Sequence, residues 1–377
     1  MTSASSSNTP LLTSEAGLKH YLEQQGRTPA YVQALGGGTA NYVYRVQDAN
    51  SSNTTIYKHA AAYLSSNNAF AFSSARMNYE AHALKNISSL QDSSIEERVH
   101  AVKVIEYDED AKLLAIEDGG ARNLKEACSD ASLDIREIGY DLATWLATLH
   151  SRSRDFSLVL PHGDSSSASV KGNNPIAVAI YRHSYRNLHT ALAKFGYDTA
   201  IAERIDDKYG SLLAQDDECL LHGDHWPGNV LVKTRADAVP RAGGEVSSKL
   251  TIVDWEMVRR GTSATDVGQF AAEAFLLDRL RGDRGLRRAF LARYIQMRKD
   301  DPIIGREWLK CVAVHWAVHI AFWPTRVDWT DQKGTQELVD IGVEVLKAVL
   351  DGDVEFLKTS KLFGDLGGEV AEALGRP

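Results

Sequence analysis

The fold is decided by one stretch of the sequence, Leu220-Leu221-His222-Gly223-Asp224-His225-Trp226-Pro227-Gly228-Asn229-Val230-Leu231-Val232. Apolar runs at its two ends predict short strands, and the polar residues between them predict the loop that joins the strands. A later apolar run, Leu250-Thr251-Ile252-Val253, predicts another strand that ends at Asp254. A loop carrying Asp224 and Asn229, beside a strand end carrying Asp254, would place a base next to oxygen ligands for a metal-bound phosphate. The first hypothesis is therefore phosphoryl transfer.

The bulk composition is that of an ordinary soluble globular protein. The chain has 377 residues, 44% hydrophobic and 24% charged, and is long enough for two lobes with apolar cores. Its formal net charge is −8, and it contains no block of Lys and Arg. Because nucleic-acid binding needs concentrated positive charge, we expect a small-molecule partner and no nucleic acid.

The sequence also indicates a compartment. Cys128, Cys219 and Cys311 are far apart, which favours free thiols in a reducing environment over a disulfide framework. Residues 1–13 are predicted to form a disordered tail, since their start is rich in Ser and Thr and lacks the apolar core of a signal peptide. The most apolar stretch, 311–323, is too short and too polar to span a bilayer. We therefore expect a cytoplasmic protein without a membrane partner.

Strand and turn patterns fill the first third of the chain, and helical patterns fill the rest. Strands are predicted at 31–35, 42–46, 55–59, 99–107 and 112–116. Helices are predicted at 14–25, 70–87, 133–150, 176–195, 198–213, 267–280, 284–297, 306–323 and 336–350. The change at 117–120, Glu-Asp-Gly-Gly, predicts an α+β protein of two lobes, an antiparallel-sheet N-lobe at 14–118 and a mainly helical C-lobe at 119–377. The polar segment 233–249 is predicted to be a long surface loop.

The N-lobe pattern offers groups that would suit a nucleotide. Gly36-Gly37-Gly38 lies in the first hairpin, where glycines allow backbone N–H groups to approach a phosphate, although a plain hairpin turn explains them as well. Lys58 lies inside a strand pattern and Glu80 inside a helix pattern. An ion pair between them would fix the lysine against nucleotide phosphates. Arg76, one turn before Glu80, is the competing partner for that carboxylate.

The polar loop carries the groups that phosphoryl transfer requires. The reaction needs neutralised phosphate charge and an acceptor hydroxyl held in line. Asp224 would accept the hydroxyl proton, and Asn229 and Asp254 would hold Mg²⁺ through oxygen atoms. His222 would orient the loop through hydrogen bonds.

Two other functions compete with this one. His222, Asp224 and His225 overlap part of the His-x-His-x-Asp-His motif of two-metal hydrolases, but Leu220 stands where its first histidine belongs. A nucleotide-binding pseudokinase without catalysis is the other alternative, although every polar residue that the transfer needs is present. A serine esterase has no support, since the sequence lacks a Gly-x-Ser-x-Gly motif.

These motifs resemble those of the aminoglycoside phosphotransferase and choline kinase family, which has a protein-kinase-like fold. His222, Asp224 and Asn229 match its catalytic His-x-Asp-x4-Asn pattern, and Ile252 to Glu256 match its metal-binding strand end. The resemblance implies ATP and Mg²⁺ as cofactors and a hydroxyl of a small metabolite as phosphate acceptor. It also implies that Asp224 is the catalytic base and that Asp266 braces its loop.

The same resemblance implies a nucleotide site in the first lobe. Its residues would be the glycine loop, the strand lysine with its helix glutamate, and the hinge after the last strand: Gly37, Gly38, Asn41, Lys58, Glu80, Ile116, Glu117 and Asp118. Within the family, the hinge and Lys58-His59-Ala60 are most similar to methylthioribose kinases and 4-hydroxytryptamine kinases.

The acceptor would lie between the catalytic loop and the late helices. His225 and Trp226 follow the catalytic aspartate, and the other candidates, His319, Trp323 and Arg326, stand near the end of a late helix pattern. An aromatic face would hold a cationic amine, and the arginine would hold an anion. The sequence does not choose between a sugar, an amino alcohol and an aromatic alcohol.

Overall fold

The computed structural model describes residues 11–161, 171–234 and 248–376. These residues form two compact units. The N-terminal unit comprises the chain up to Lys85 together with Val102–Asp118, and the C-terminal unit comprises Asn86–Ala101 together with the chain from Gly119 onward. Residues 86–101, which the sequence assigned to the N-lobe, thus pack with the C-terminal unit.

Two predicted irregular segments are only partly described. Of the expected tail at 1–13, residues 1–10 lie outside the described residues, whereas Leu12 is buried in the apolar core of the N-terminal unit. Of the expected loop at 233–249, residues 235–247 lie outside the described residues, and the flanking residues belong to strands.

The predicted antiparallel sheet near the N-terminus is confirmed. The elements up to residue 118 are α1 (Glu15–Gln24), β1 (Pro29–Ala34), β2 (Tyr42–Asp48), β3 (Thr54–His59), β4 (Tyr63–Leu64), β5 (Asn67–Ala71), α2 (Arg76–Ile87), α3 (Ser93–Glu96), β6 (Val99–Ala101), β7 (Val104–Asp108) and β8 (Leu113–Glu117). Five strands pair antiparallel in the order β1-β2-β3-β8-β7. Alternate residues of β2, Tyr44 and Val46, face the core and meet Leu18 and Leu22 of α1.

Two predicted elements in this region were wrong in extent. The apolar run at 99–107 is two strands, because β6 pairs parallel with a strand of the C-terminal unit whereas β7 pairs antiparallel with β8. The helix expected from residue 70 begins at Arg76, because Phe70 belongs to β5 of the short β4–β5 hairpin. All residues of β5 are exposed, so burial did not impose a strand pattern on them.

The predicted helical character of the rest of the chain is confirmed. Its elements are α4 (Leu124–Ala127), α5 (Ile135–Arg152), α6 (Pro175–Lys194), α7 (Ala200–Ile205), β9 (Cys219–Leu221), β10 (Val230–Thr234), β11 (Ser248–Ile252), β12 (Arg259–Gly261), α8 (Ala264–Arg281), α9 (Leu286–Met297), α10 (Arg306–Phe322), α11 (Gln332–Asp351), α12 (Val354–Thr359) and α13 (Gly368–Leu374). Side chains cap several helix starts, as Asp134 does by accepting the N–H of Glu137 at 2.9 Å. Gly282 and Gly352, in the left-handed conformation, end α8 and α11. The two last helices were not predicted, because they are short and weakly periodic.

Helix α10 is the centre of the C-terminal unit. It packs against α8, α11 and α6, and its residues from Val312 to Phe322 are buried. Glycines allow the two closest approaches: a Cβ on Gly268 of α8 would lie 2.7 Å from the Cβ of His315, and one on Gly342 of α11 would lie 2.9 Å from the carbonyl oxygen of Ala317. Within the described ranges, no helix is both long and apolar enough to cross a membrane.

Substitution of Gly268 by alanine tests this packing. Alanine in place of a mid-helix glycine ordinarily stabilises a protein by about 0.5–1 kcal/mol. Here the added methyl group would push α8 from α10, and we expect the free energy of unfolding in urea to fall by about 1–3 kcal/mol. Gly368→Ala in α13, where no heavy atom lies within 4 Å of the added Cβ, is the control and should show no loss. A more stable Gly268→Ala protein would contradict the close approach.

Candidate active site

The polar loop at 222–229 is fixed at both ends by strand pairing. Strand β9, before the loop, pairs with β12, and β10, after the loop, pairs with β11. The N–H of Val253 donates to the carbonyl oxygen of Asn229 at 3.0 Å, so the residue before Asp254 is tied to the end of the loop. The sheet therefore brings the two predicted metal ligands, Asn229 and Asp254, to neighbouring positions.

The first turn of the loop requires glycine. Gly223 has φ +81, in the left-handed region, and a Cβ there would overlap the carbonyl oxygen of Met257. Asp254 also has a positive φ, +67, which is uncommon for a residue with a side chain. Such conformations persist where the surrounding structure enforces them and are concentrated at functional sites.

Asp266, in the first turn of α8, holds the start of the loop. Its carboxylate accepts the N–H of His222 at 2.7 Å and that of Gly223 at 3.0 Å, and His150 Nε2 lies 3.3 Å away. Burial disfavours the charge, but the hydrogen bond and positive field of His150 outweigh it and hold the pKa of Asp266 well below its usual range. Asp266 thus occupies the bracing position that the family resemblance implied.

His222 connects the loop to the end of β11. Its Nδ1 accepts the N–H of Asp224 at 3.2 Å, and its Nε2 donates to the carbonyl oxygen of Val253 at 3.0 Å. Both ring nitrogens are therefore engaged with the backbone. Metal binding by His222 would therefore require one of these hydrogen bonds to break.

Asp224 is held by two amide side chains. Asn229 Nδ2 donates to its carbonyl oxygen at 3.0 Å and to Oδ2 at 3.1 Å, and Gln269 Nε2 of α8 donates to Oδ1 at 2.6 Å. Burial, and next the negative charge of Asp254, raise the pKa of Asp224 to about 7 against the opposing effect of these hydrogen bonds. A carboxylate with such a pKa is suited to accept a proton near neutral pH.

The residues around Asp224 fit a magnesium ion. Asn229 uses its amide nitrogen on Asp224, which leaves its amide oxygen as the atom able to bind a cation. Asp254 supplies a carboxylate, and carboxylate and amide oxygens are the ligands that Mg²⁺ prefers. The negative charge of Asp254 repels that of Asp224 and helps to raise its pKa, and a cation bound at Asp254 would relieve this repulsion.

His225, predicted to contact the acceptor, is instead a core residue. Its ring is completely buried and lies between Phe270, with centroids 5.0 Å apart, and Trp145, at 6.5 Å. Burial, and next the nearby His222, lower the pKa of His225 to about 3, so the ring is neutral at physiological pH. A side chain enclosed by aromatic rings does not reach an acceptor, and this part of the prediction was wrong.

Trp226, the second residue predicted at the acceptor, is partly exposed and already faces a cation of the chain. Lys125 Nζ lies 5.2 Å from the centroid of the Trp226 ring and 4.1 Å from that of Trp329. The same indole lies over Gly228, where a Cβ would overlap it. Trp226 is thus part of a fixed stack of lysine and two indoles.

The late candidates lie at the end of α10, with His319 in its last turn. Trp323 is half-buried, with its ring centroid 6.3 Å from that of His319. Arg326 is exposed, donates to Thr190 Oγ1 of α6 at 2.7 Å, and lies over the ring of Phe322. These contacts join Arg326 to the outer surface of two helices, whereas Trp323 lies beside His319, which is hydrogen-bonded to the buried Glu273.

In the N-terminal unit, the ion pair predicted between Lys58 and Glu80 is present. Lys58 Nζ lies 2.8 Å from Glu80 Oε2, and both side chains are buried. Arg76 donates to the carbonyl oxygens of Ala61 and Phe72 and to Asn41 Oδ1. Arg76 therefore anchors the end of the glycine loop.

The other predicted nucleotide residues lie at two places in this unit. Gly37 and Gly38 are in the loop between β1 and β2, and Gly37 has φ +100. Ile116 is buried, and Glu117 Oε1 accepts the N–H of Lys103 at 3.0 Å. The Asp118 carboxylate accepts hydrogen bonds from Arg45 Nε and Thr54 Oγ1, each at 2.6 Å. The carboxylates of Glu117 and Asp118 are thus used to hold the sheet.

Sequence reasoning missed Gln269 and Glu273, which continue the site along α8. Glu273 Oε1 accepts a hydrogen bond from His319 Nε2 at 2.7 Å. The side chains of Gln269, Glu273 and His319 are almost completely buried. Asp266, Gln269 and Glu273 are spaced three and four residues apart, which places them on one face of a helix. That polar stripe in an otherwise apolar helix is the signal that would have found them.

Residues 32–309, more than half of the chain, match the model of the family described as "Phosphotransferase enzyme family". The chain belongs to this family. The resemblance inferred from the motifs is confirmed, and so is the expectation of a phosphotransferase.

Two 4-hydroxytryptamine kinases are similar to this chain over most of their length. A 4-hydroxytryptamine kinase of Psilocybe cyanescens is 27% identical over 354 residues, covering 88% of this chain and 92% of the relative. A 4-hydroxytryptamine kinase of Psilocybe cubensis is 23% identical, covering 83% and 85%. Among solved structures, the aminoglycoside phosphotransferase APH(4)-Ia superposes with a TM-score of 0.48 at 10% identity, covering 90% of this chain and 99% of that one. A Plasmodium vivax ethanolamine kinase superposes with a TM-score of 0.45 at 14% identity, covering 85% and 82%.

The buried neutral His225 predicts a specific acid sensitivity. Its folded pKa of about 3 lies below the ordinary value of 6.5, so below pH 6.5 the unfolded chain binds a proton that the folded chain does not. This residue therefore lowers the free energy of unfolding by about 1.4 kcal/mol for each pH unit below 6.5. In His225→Leu, the stability relative to the unmodified protein should rise by about 1 kcal/mol between pH 7.5 and 5.5 in urea titrations. His225→Met should give the same change, and parallel pH curves for all three proteins would contradict the assignment.

Proposed function

We propose that this chain is an ATP- and Mg²⁺-dependent kinase that transfers the γ-phosphoryl group to a hydroxyl of a small metabolite. The observation that carries the proposal is Asp224, which is held by Asn229 and Gln269, lies near Asp254 and has a pKa of about 7. Membership of the phosphotransferase family supports the class of reaction.

In this mechanism, Asp224 is the general base. Its carboxylate accepts the proton of the acceptor hydroxyl while the hydroxyl oxygen forms a bond to the γ-phosphorus. The bond from that phosphorus to the oxygen bridging the β and γ phosphates breaks, and ADP leaves. Gln269 and Asn229 fix both carboxylate oxygens, so the base is oriented before the acceptor arrives.

Asn229 and Asp254 would hold the magnesium ion through their side-chain oxygens. When bound, the ion neutralises charge on the phosphate groups. Asp266 and His222 contribute by holding the loop, since one braces its first N–H groups and the other ties it to Val253.

ATP would be held by residues of the N-terminal unit. Gly37, Gly38 and Asn41 would lie against the phosphates, and Lys58, fixed by Glu80, would pair with them. Ile116, Glu117 and Asp118 would contact adenine through their backbone, because the carboxylates of the last two are already hydrogen-bonded within the sheet.

The acceptor that we propose is a small hydroxylated amine. We also propose that the protein is cytoplasmic and has no nucleic-acid or membrane partner. The similarity to two 4-hydroxytryptamine kinases over most of the chain supports an acceptor of this class. Trp323, which lies beside His319, remains the candidate aromatic wall for it, with Trp226 at the loop.

Replacement of the base tests the mechanism. Asp224→Asn preserves the size of the side chain but cannot accept the proton, so kcat for ADP formation should fall by about 10²–10⁴-fold. The assay is ADP release from ATP and Mg²⁺ with a panel of hydroxylated amines that includes 4-hydroxytryptamine. Asp328→Asn, at an exposed position of the same unit, is the matched control and should keep full activity.

The same proteins distinguish a kinase from a nucleotide-binding protein without catalysis. ATP should raise the melting temperature of both the unmodified protein and Asp224→Asn, because the base does not hold the nucleotide. Stabilisation by ATP without ADP release from any acceptor would favour the pseudokinase. Full activity in Asp224→Asn would refute the assigned base.

The lysine pair tests the nucleotide site separately. Removing one buried partner would leave the other charge unpaired, so the double variant Lys58→Met/Glu80→Met removes both charges. We expect it to fold but to lose most of the thermal stabilisation by ATP, with at least a tenfold increase in KM for ATP. Lys19→Met, at an exposed position of α1, is the control. An unchanged KM for ATP in the double variant would place the nucleotide elsewhere.

A further inference from the structure

Helix α8 carries a polar stripe that the proposed mechanism uses only in part. Asp266 braces the catalytic loop and Gln269 holds the base, whereas Glu273, one turn further along the same face, has no role in the steps above. The rest of the helix from Ala264 to Leu277 is buried and mostly apolar. A carboxylate retained at such a position calls for a partner, because burying a charge is costly unless it is paired.

Glu273 is only half satisfied by its neighbours. One oxygen, Oε1, accepts a hydrogen bond from His319 Nε2 at 2.7 Å. The other, Oε2, is buried and accepts no hydrogen bond from any residue in the part of the chain that the structure describes. Buried polar atoms without partners are rare in folded proteins, so Oε2 is an acceptor available to a ligand.

Gln269 has an acceptor of the same kind beside the base. Its Nε2 donates to Asp224 Oδ1 at 2.6 Å, which fixes the orientation of the amide. Its Oε1 is buried and has no hydrogen-bond donor among the described residues. Two unsatisfied oxygens thus lie one helical turn apart, and the first of them belongs to the group that holds the catalytic carboxylate.

The chemistry of these atoms selects the ligand. Both are acceptors, so they require donors, and a carboxylate oxygen in a buried setting favours a cationic donor. Trp226, in the same loop as the base, does not compete for that cation, because its ring already faces Lys125 Nζ at 5.2 Å. On the far side of Glu273, His319 lies next to Trp323, with ring centroids 6.3 Å apart, which adds an apolar face.

We propose that Glu273 and Gln269 form the wall of the acceptor site and that Glu273 selects acceptors bearing an ammonium group. The ammonium group donates to Glu273 Oε2, a polar hydrogen of the acceptor donates to Gln269 Oε1, and the reacting hydroxyl lies at Asp224. Since this assigns the acceptor class of the same site, it rests on the proposed function. His319 is a positioning residue in it, because it holds the carboxylate of Glu273.

Binding measurements on matched ligand pairs test the proposal independently of catalysis. The first pair is 4-hydroxytryptamine and its neutral analogue 4-hydroxy-3-propylindole, and the second is ethanolamine and its neutral analogue propan-1-ol. Dissociation constants are measured by calorimetry with the full chain and with Glu273→Gln. Glutamine keeps an oxygen for His319 but replaces the second oxygen by an amide group that repels a cation.

The expected result is a preference for the ammonium member of at least one pair by about 10- to 100-fold, the range for a hydrogen bond to a charged partner. In Glu273→Gln this preference should disappear while affinity for the neutral analogue stays within about twofold. Glu337→Gln, which removes a half-exposed carboxylate that pairs with Arg279, is the matched control and should keep the preference. Equal affinity of the unmodified protein for both members of each pair, or a preference that survives in Glu273→Gln, would overturn the proposal.

Kinetics separate this proposal from the proposed function. If the chain binds the amines selectively through Glu273 but releases no ADP with any of them, the kinase assignment fails and the acceptor wall stands. If it phosphorylates both members of a pair with the same KM in the presence and absence of the Glu273 carboxylate, the kinase assignment stands and the wall fails. Melting curves of Glu273→Gln, compared with those of Glu337→Gln, verify that the variant is folded.

Discussion

The arrangement of the C-terminal unit depends on one buried carboxylate, that of Asp266. It accepts the N–H groups of His222 and Gly223 and contacts His150, so a helix start, a loop and another helix meet at two oxygen atoms. Burying the charge is costly, and only the full set of donors makes it favourable. Gly223 donates its N–H to this carboxylate from a left-handed turn. Glycine is required at this position, because a Cβ there would overlap the Met257 carbonyl oxygen. Once α8 is fixed to the loop, the helical repeat places Gln269 beside Asp224 and Glu273 one turn beyond.

Two aspartates of this site, Asp266, which is completely buried, and Asp224, which is partly buried, have pKa values shifted in opposite directions by their surroundings. Asp266 faces N–H donors and histidine rings, which keep its pKa low. Asp224 faces Asp254, and its burial and that negative charge raise its pKa to about 7. Divergent environments of this kind separate a structural carboxylate from one that exchanges protons. The chemistry of each residue therefore follows from its neighbours, since the side chains are identical.

Local pattern was enough to predict much of this from the sequence. The strand, loop and strand around Asp224 and the later strand ending at Asp254 are set by short-range periodicity and turn residues. The pair of Lys58 with Glu80 was predicted from the arrangement of lysine and glutamate in kinase-type folds. The burial of His225 could not be predicted from local pattern, because it depends on Trp145 of α5 and Phe270 of α8. The run at 99–107 divided between two units because β6 finds its partner in the distant β11. Gln269 was missed because a single polar residue in a helix ordinarily marks its solvent face. Only when it is taken together with Asp266 and Glu273 does it form a polar stripe in an otherwise apolar helix.

The distribution of charge around the base narrows the acceptor further than the motifs do. The chain places its own Lys125 against the indoles of Trp226 and Trp329, so aromatic recognition of a cation beside the loop is already satisfied internally. Arg326, the candidate for binding an anion, donates to Thr190 on the outer surface of α6. On the face of α8 that continues from Asp224, Gln269 Oε1 and Glu273 Oε2 are buried and accept no hydrogen bond from the described residues, and Glu273 is a carboxylate. A site whose free oxygens are supplied by a carboxylate and an amide is complementary to a molecule that brings donors and positive charge, and not to a sugar phosphate or another anion.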